Sequence, residues 1–278
     1  MDSFINRLEL ACDTNKSLLC IGLDIEPSRI PVLDSFEFNK AIIDSTHDLC
    51  CAFKPNLAFY EAMGIDGLRL LEKTIDYIRT SSPTNIIIGD AKRGDIGPSG
   101  AAYAKAMFEV WNFDAVTINA WGGHDTVDPF ISDEKRGAFI WCRGSNPGSG
   151  DLQDLQVESA SGGNTIYEIM AQSAQMWNYN NNIGLVVGAT VTDQLKSVRA
   201  LCPKQPILIP GIGAQGGDLK ASVLNGVDSR GRLALINSSR GIIYASQQRD
   251  FADAARQAAA EVNNNINSTL EAAGYGWK

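Results

Sequence analysis

Charged side chains at the ends of apolar segments give the amino-terminal part of the chain its most reactive pattern. They are Asp24, Lys54, Asp90, Lys92 and Asp95. Any one of these residues alone could simply be a charged side chain in solvent at the end of a strand. Because charges are rarely buried unpaired, their joint occurrence favours one alternating array of carboxylates and ammoniums. Asp90 and Lys92, two residues apart, would point to one face of an extended segment. Such an array can hold a lysine protonated and aim it at developing negative charge.

Two later segments predict an anion site. The segment IPGIGAQGGD (209–218) joins a buried strand to a Gly-rich turn and to a predicted helix that begins near Gly216. Glycines allow close backbone approach to a ligand, and a helix amino terminus attracts anions, although such a loop alone could be a simple connection. The segment INSSRGIIYA (236–245) adds the cation Arg240. Together the two segments make a phosphate monoester the leading ligand class.

Composition and the remaining motifs argue against several other functions. The 278 residues carry a formal net charge of −8, which disfavours general binding of nucleic-acid backbones. His47 and His124, the only histidines, make neither a metal triad nor a Ser-His-Asp relay. No apolar run approaches the roughly 20 residues of a membrane span. We therefore expect a small-molecule site without metal, and neither a nucleic-acid nor a membrane partner.

The cysteines and the amino-terminal segment predict a cytoplasmic location. None of the six cysteines has CxxC spacing, and the adjacent Cys50 and Cys51 are poorly placed to pair with each other. The first ten residues carry Asp2 and Glu9 and contain no apolar core of signal-peptide length. Reduced thiols in the cytoplasm are the simplest interpretation.

Eight apolar segments rich in β-branched residues must position the charged groups. They are continuous rather than alternating, as is typical of strands buried on both faces, and span 18–24, 51–56, 85–90, 114–119, 137–142, 182–189, 205–211 and 232–237. Stretches of helical period lie between them, and residues 3–12 predict an extra helix before the first strand. The alternation predicts an α/β protein, a (β/α)8 TIM barrel that forms a single domain over 1–278.

An open, doubly wound sheet of eight strands is the alternative. The loop GLDIEPSRIP after the first strand lacks the glycine fingerprint of dinucleotide-binding sheets, which favours the barrel. In a barrel, chemistry lies at the carboxyl ends of the strands, and phosphate usually binds after the seventh and eighth. The long polar loop at 143–165 follows the fifth strand, and loops of that length are usually functional or mobile.

Six segments spread over the chain carry a family resemblance. They read IGLD (21–24), FKPNLAFYE (53–61), DAKRGDI (90–96), SNPGSGDLQ (145–153), PGIGAQGGD (210–218) and NSSRGIIYA (237–245). The pattern DxKxxD alone is shared with related barrel decarboxylases, but the six segments together are highly specific. In order and spacing the chain resembles the orotidine 5′-phosphate decarboxylase family, in its longer branch.

The resemblance implies an active site shared between two subunits. Asp24 and Lys54 would hold ribose hydroxyls. Lys54 would also join Asp90, Lys92 and Asp95 in a catalytic charge network. Lys92 would be the proton donor, and Asp95 would come from the other subunit of a homodimer.

Further implied contacts involve the substrate's ring and phosphate. Ser145 would touch the pyrimidine edge, and Pro210 would form an apolar wall with Ile96, which would come from the partner subunit. Gln215 and Arg240 would bind the phosphate.

The implied reaction is the cofactor-free decarboxylation of orotidine 5′-monophosphate to uridine 5′-monophosphate in pyrimidine biosynthesis. Loss of CO₂ from C6 would leave a vinyl carbanion that Lys92 protonates. Since no adjacent group delocalises that charge, fixed electrostatics must stabilise it. Ser99, which keeps a hydroxyl where some relatives have threonine, and Ser239 complete the implied substrate contacts.

Three alternatives stay open. The first is a magnesium-dependent sugar-phosphate decarboxylase of the same suprafamily. The resemblance implies that such an enzyme would have a metal-binding glutamate at the end of the second strand. This chain has Lys54 there, and a cation repels Mg²⁺. Another phosphate-binding barrel, such as an isomerase, would not need the Asp-Lys-Asp array. An inactive barrel that only binds nucleotides or partners is disfavoured by the intact Asp90, Lys92 and Asp95.

Overall fold

Eight parallel strands close into a barrel in this computed structural model, which describes residues 2–158, 163–213 and 216–277. The barrel strands are β1 (Leu19–Gly22), β2 (Ala52–Lys54), β3 (Ile86–Arg93), β4 (Ala115–Ile118), β5 (Gly137–Arg143), β8 (Ile183–Val187), β9 (Ile207–Pro210) and β10 (Ala234–Ser238). A separate antiparallel pair is formed by β6 (Gln156–Val157) and β7 (Asn164–Thr165). Because β1 pairs with β10, the predicted barrel is confirmed and the open sheet is excluded.

Helices alternate with the barrel strands and cover the outside of the barrel. They are α1 (Phe4–Asn15), α2 (Ser35–Thr46), α3 (Leu57–Glu61), α4 (Gly64–Ser81), α5 (Gly97–Lys105), α6 (His124–Ile131), α7 (Gly150–Gln153), α8 (Ile166–Trp177), α9 (Thr192–Leu201), α10 (Leu219–Gly226), α11 (Arg240–Ile243) and α12 (Phe251–Ala272). A π-helical turn at Ala106–Val110 extends α5. Side-chain caps begin several helices, among them the capping box that Thr165 and Glu168 form at α8.

The predicted extra helix, α1, packs at the amino ends of the strands. Phe4 is fully buried, and its ring meets that of Phe139 edge to face with centroids 6.1 Å apart. A side chain at Gly137 would overlap the Phe4 ring, so the start of β5 requires glycine. Helix α1 therefore packs over this end of the barrel, away from the carboxyl ends of the strands.

A buried ion cluster joins three elements at the same end. Asp114, immediately before β4, contacts Arg7 of α1 and lies 2.7 Å from Arg79 of α4. Its carboxylate also accepts a hydrogen bond of 2.8 Å from the backbone N–H of Ile87. These partners offset the cost of burying the charge, and they join α1 and α4 to the barrel.

All six cysteines lie in described parts of the chain and are buried free thiols. Burial raises the pKa of Cys20 to about 12, so this thiol stays protonated at neutral pH. Across the described residues, we find no helix with the length and apolar character needed to cross a membrane.

Candidate active site

Two lysines and one aspartate meet at the carboxyl ends of β2 and β3. Lys54 Nζ lies 2.9 Å from Asp90 Oδ2, and Lys92 Nζ lies 2.5 Å from Asp90 Oδ1. Lys54 is only 3% exposed, whereas the Lys92 side chain is 45% exposed and faces the barrel mouth. Each carboxylate oxygen thus holds one ammonium, one deep and one at the surface of the site.

The electrostatics of this cluster favour the charged forms of its buried members. Burial alone would raise the pKa of Asp90, but the charges of Lys54 and Lys92 outweigh it and hold that pKa well below its ordinary value. Burial alone would lower the pKa of Lys54, but Asp90 and Asp24 outweigh it and raise that pKa above its ordinary value. The cluster therefore presents fixed charges at neutral pH.

Lys92 does approach Asp90, but not because two residues of an extended segment share one face, as the sequence predicted. Lys92 has a φ of +47°, so β3 is not extended at this position and simple alternation does not apply. The register between β3 and β4 shifts from Gly89–Val116 to Arg93–Ile118. The additional residues in β3 form a bulge, and this bulge turns Lys92 toward the carboxylate.

A cavity of about 250 Å³ opens beside this cluster at the barrel mouth. Its lining includes eight of the predicted site residues, namely Asp24, Lys54, Asp90, Lys92, Ser145, Pro210, Ser239 and Arg240. They come from the carboxyl ends of six different strands or the loops that follow them. The barrel thus brings into one cavity side chains more than 200 residues apart in sequence.

Close packing shapes the wall formed by β1 and the segment after β10. A side chain at Gly22 would overlap the Ser239 hydroxyl, so glycine is required for Ser239 to approach β1. Arg240 follows as the first residue of α11 and is exposed. A third cation is therefore presented at the mouth of the cavity, on the other side of β1 from β2.

Two buried oxygens of the cavity lining have no hydrogen-bond donor among the described residues. They are Asp24 Oδ1 and Asn237 Oδ1. Buried acceptors are normally paired, so both oxygens fit a ligand that carries hydroxyl or N–H donors. The cavity thus combines fixed charges with acceptors for a polar ligand.

Comparison with known proteins identifies the family of this chain. A model described as "Orotidine 5'-phosphate decarboxylase / HUMPS family" matches residues 17–256. The chain belongs to this family. The orotidine 5′-phosphate decarboxylase of Dehalococcoides mccartyi is 47% identical over 266 residues, which cover 95% of this chain and 97% of that protein. The resemblance inferred from the six sequence segments is confirmed.

Solved structures agree with the family assignment. The OMP decarboxylase of Leishmania donovani superimposes with a TM-score of 0.84 at 36% identity, over 96% of this chain and 99% of that one. The UMP synthase of the same organism gives 0.86 at 38% identity, over 97% of this chain but only 56% of that longer one. The whole barrel, together with its additional helices, is thus similar to members of the family.

Three residues that the family resemblance assigns to the site lie outside this cavity. Among the described residues, the cavity lining does not include Asp95, Ile96 or Ser99. Ile96 is 61% exposed, and the Asp95 carboxylate accepts a hydrogen bond of 2.8 Å from the Ile96 N–H. Gln215, the other predicted phosphate ligand, lies outside the described residues.

The predicted anion-binding helix near Gly216 begins later than expected. Helix α10 begins at Leu219, and its cap is Asp218, whose carboxylate accepts a hydrogen bond of 3.0 Å from the Ala221 N–H. The acidic cap satisfies this helix terminus, whereas the phosphate site on the Gly-rich segment, part of which lies outside the described residues, stays a prediction.

Sequence reasoning missed a buried arginine in the cavity wall. Arg143 ends β5, and its Nε and Nη2 lie 3.0 Å and 2.7 Å from the two carboxylate oxygens of Asp154. Its Nη1 donates to the carbonyl of Gly144 and to the hydroxyl of Ser149. The guanidinium therefore orders the loop that carries Ser145.

Other polar or aromatic lining residues were also missed, namely Asn56, Thr117, Trp141 and Asn237. The rule that found Asp90, a charge at a strand end, applies equally to Arg143. Thr117 and Asn237 stand as polar residues within apolar segments. That signal is weaker, because a buried hydroxyl or amide also occurs in ordinary cores.

Proposed function

We propose that this protein decarboxylates orotidine 5′-monophosphate to uridine 5′-monophosphate in pyrimidine biosynthesis, without a cofactor. The observation that carries the proposal is the contact of Lys54 and Lys92 with Asp90 at the mouth of a barrel of this family. Relatives that cover nearly the whole chain are named for this activity. A fixed array of charges suits a reaction whose transition state develops negative charge at one carbon.

In the proposed reaction, the bond between C6 and the carboxylate carbon breaks, CO₂ leaves and the electron pair stays on C6. Lys92 Nζ then donates a proton to C6, and the resulting amine regains a proton from solvent. Asp90 supports this step because its carboxylate contacts Lys92 Nζ and fixes the direction of the ammonium group. The more deeply buried Lys54 holds the other oxygen of Asp90, so the carboxylate does not turn away.

Other residues of the cavity lining would hold the rest of the nucleotide. Arg240 is suited to the phosphate because a guanidinium forms charge-assisted hydrogen bonds with phosphate oxygens, and Gln215 is its proposed companion. The unpaired Asp24 Oδ1 suits a ribose hydroxyl, with Lys54 as a further contact. Ser145 would meet the pyrimidine edge, Pro210 its apolar face, and Ser239 the substrate near Arg240.

A homodimer would complete the site. Asp95 and Ile96 are exposed just after β3, and Ser99 lies in the same segment on α5. An exposed isoleucine beside a carboxylate suits contribution to a neighbouring subunit's cavity better than to its own. We propose that each subunit supplies Asp95 and Ile96 to its partner.

The test is the loss of the orotidine 5′-monophosphate absorbance band on addition of the purified protein, with and without EDTA. We expect turnover that is unchanged by exhaustive chelation, because Lys54 stands where a metal-binding carboxylate would be needed. Activity that disappears with EDTA and returns with Mg²⁺ would indicate the magnesium-dependent branch. Nucleotide binding without turnover would indicate an inactive barrel.

A further inference from the structure

One hydroxyl joins the two residues of β3 on which the proposed function relies, the carboxylate of Asp90 and the backbone of Lys92. Thr117 Oγ1, on β4, donates a hydrogen bond of 2.8 Å to Asp90 Oδ1 and accepts one of 3.0 Å from the backbone N–H of Lys92. A hydroxyl has one proton to donate, and a backbone N–H can only donate. The directions of both hydrogen bonds are therefore fixed.

This hydroxyl sits opposite the bulge in β3. The ladder between β3 and β4 is interrupted after the Gly89–Val116 pair and resumes at Arg93–Ile118, and Thr117 lies between the two partners on β4. In a regular ladder, the Lys92 N–H would donate to a main-chain carbonyl. Here the side chain of Thr117 takes that place, so it satisfies the N–H of a residue whose φ is +47°.

Thr117 therefore acts on Lys92 at both ends. It supports the left-handed backbone from which the lysine side chain starts, and it orients the Asp90 oxygen that the ammonium contacts at 2.5 Å. The Lys92 backbone N–H and Asp90 Oδ1 thus both form hydrogen bonds with the same buried hydroxyl, and both influence the position of Lys92 Nζ.

We infer that Thr117 is a positioning residue, whose hydroxyl holds Asp90 and the Lys92 backbone in the geometry needed for proton transfer to C6. The inference rests on the proposed function. Valine has nearly the shape of threonine but lacks the hydroxyl. In Thr117→Val, the Lys92 N–H and Asp90 Oδ1 would each lose a partner, and the ammonium would no longer be fixed.

The experiment compares kcat on orotidine 5′-monophosphate with the affinity for uridine 5′-monophosphate, measured by calorimetry. We expect Thr117→Val to lower kcat by about ten- to a hundredfold, as misplacement of a catalytic group does. The product affinity should stay within about threefold, because the product offers no reacting carbanion to the lysine. Thr117→Ser restores the hydroxyl and should return kcat to within a few-fold of wild type.

Thr46→Val is the matched control. Thr46 is also buried, and its hydroxyl donates to the Ile42 carbonyl within α2, away from the cavity. We expect its kcat to equal that of the wild type. If Thr117→Val is recovered unfolded, Thr117→Ala takes its place with the same expectation.

Three results would overturn the inference: unchanged kcat in Thr117→Val even with a lower melting temperature, no recovery in Thr117→Ser, or a product affinity that falls in parallel with kcat. The first would make Thr117 structural, and the last would make it a direct substrate contact. Wild-type turnover in the same series tests the proposed function separately. An inactive wild type overturns that function, whereas active wild type with equally active Thr117→Val overturns only the positioning role.

Discussion

The two ends of the barrel each hold an aspartate flanked by two cations, but the cations differ. At the amino end, Asp114 is buried between Arg7 and Arg79. At the carboxyl end, Asp90 lies between two lysines. Arginine keeps its proton under all ordinary conditions and binds carboxylates through a rigid fork, whereas a lysine ammonium can give up a proton. The first cluster can only hold elements together, while the second can also do proton chemistry.

The surroundings of the two aspartates also differ, since one carboxylate is enclosed and the other lies beside a cavity. The Asp114 carboxylate receives a backbone N–H from Ile87 and is closed off by α1 and α4. The Asp90 carboxylate receives a threonine hydroxyl and leaves one lysine half exposed to a cavity. Clusters of similar charge are therefore enclosed at one end of the barrel and open to a cavity at the other, and it is at this second end that barrels of this class usually carry their chemistry.

Replacing Lys92 should produce the largest loss of activity. Lys92→Ala removes the proposed proton donor and the charge nearest the developing carbanion, so we expect kcat to fall by more than about 10⁴-fold. The Lys92 side chain is half exposed, so its removal leaves no buried cavity and the melting temperature should hardly change. Steady-state kinetics and thermal unfolding measure the two quantities.

Lys92→Arg sharpens this comparison. It keeps the charge but holds its proton too tightly to donate it, so it should stay nearly as inactive as the alanine variant. Turnover within tenfold of wild type by either variant would show that Lys92 is not the proton donor.

Disrupting the Asp114 cluster should have the opposite effect: it should lower stability and leave activity nearly unchanged. Asp114→Asn leaves two arginine charges without their partner, and we expect the free energy of unfolding to fall by about 3 kcal/mol. The kcat of the folded variant should stay near that of the wild type, because Asp114 lies at the far end of the barrel. Chemical denaturation and activity below the transition measure these two effects.

The control for this variant is Asp48→Asn. Asp48 pairs with Arg256 through two hydrogen bonds of 2.7 Å and 2.8 Å, but both side chains are about half exposed. Solvent screens such a pair, so we expect a loss below about 1 kcal/mol. Equal losses in the two variants would mean that burial does not distinguish these ion pairs.

The fold was predictable because each barrel strand carries its own signal. Runs such as NIIIGD and RLALIN are apolar on both faces, and only a parallel sheet covered by helices buries both. The end of β3 was predicted less well. An extended DAKR segment looks regular in sequence, and the bulge at Lys92 depends on register with β4, which no local pattern contains.

The charged half of the site was predictable for a related reason. Lys54 and Asp90 stand out against apolar neighbours, and barrel geometry alone brings strand ends together. Arg143 carried the same signal but was assigned to the loop that follows β5. The start of α10 was misplaced because glycines at 216 and 217 suggested a phosphate-binding turn, whereas Asp218 provides an ordinary acidic cap.

Replacing Arg240 should have the smallest effect of the three substitutions. This residue lies at the carboxyl end of the barrel but outside the lysine cluster. A charge-assisted hydrogen bond is worth about 1.5–3 kcal/mol, so Arg240→Ala should lower kcat/KM by roughly ten- to a few-hundredfold. The loss should be specific to the phosphorylated substrate. A truncated substrate without the phosphate offers no charge to the guanidinium, and it should react equally slowly with wild type and variant.

Measuring both enzymes on both substrates completes a thermodynamic cycle for the Arg240–phosphate contact. The coupling should account for nearly all of the loss, because Arg240 is exposed and its removal disturbs no packed core. If Arg240→Ala slowed the truncated substrate as much as the phosphorylated one, the side chain would be supporting the fold or the ring site. The arginine would then resemble Arg7 and Arg79 in its role, and the distinction between the two ends of the barrel would not extend to it.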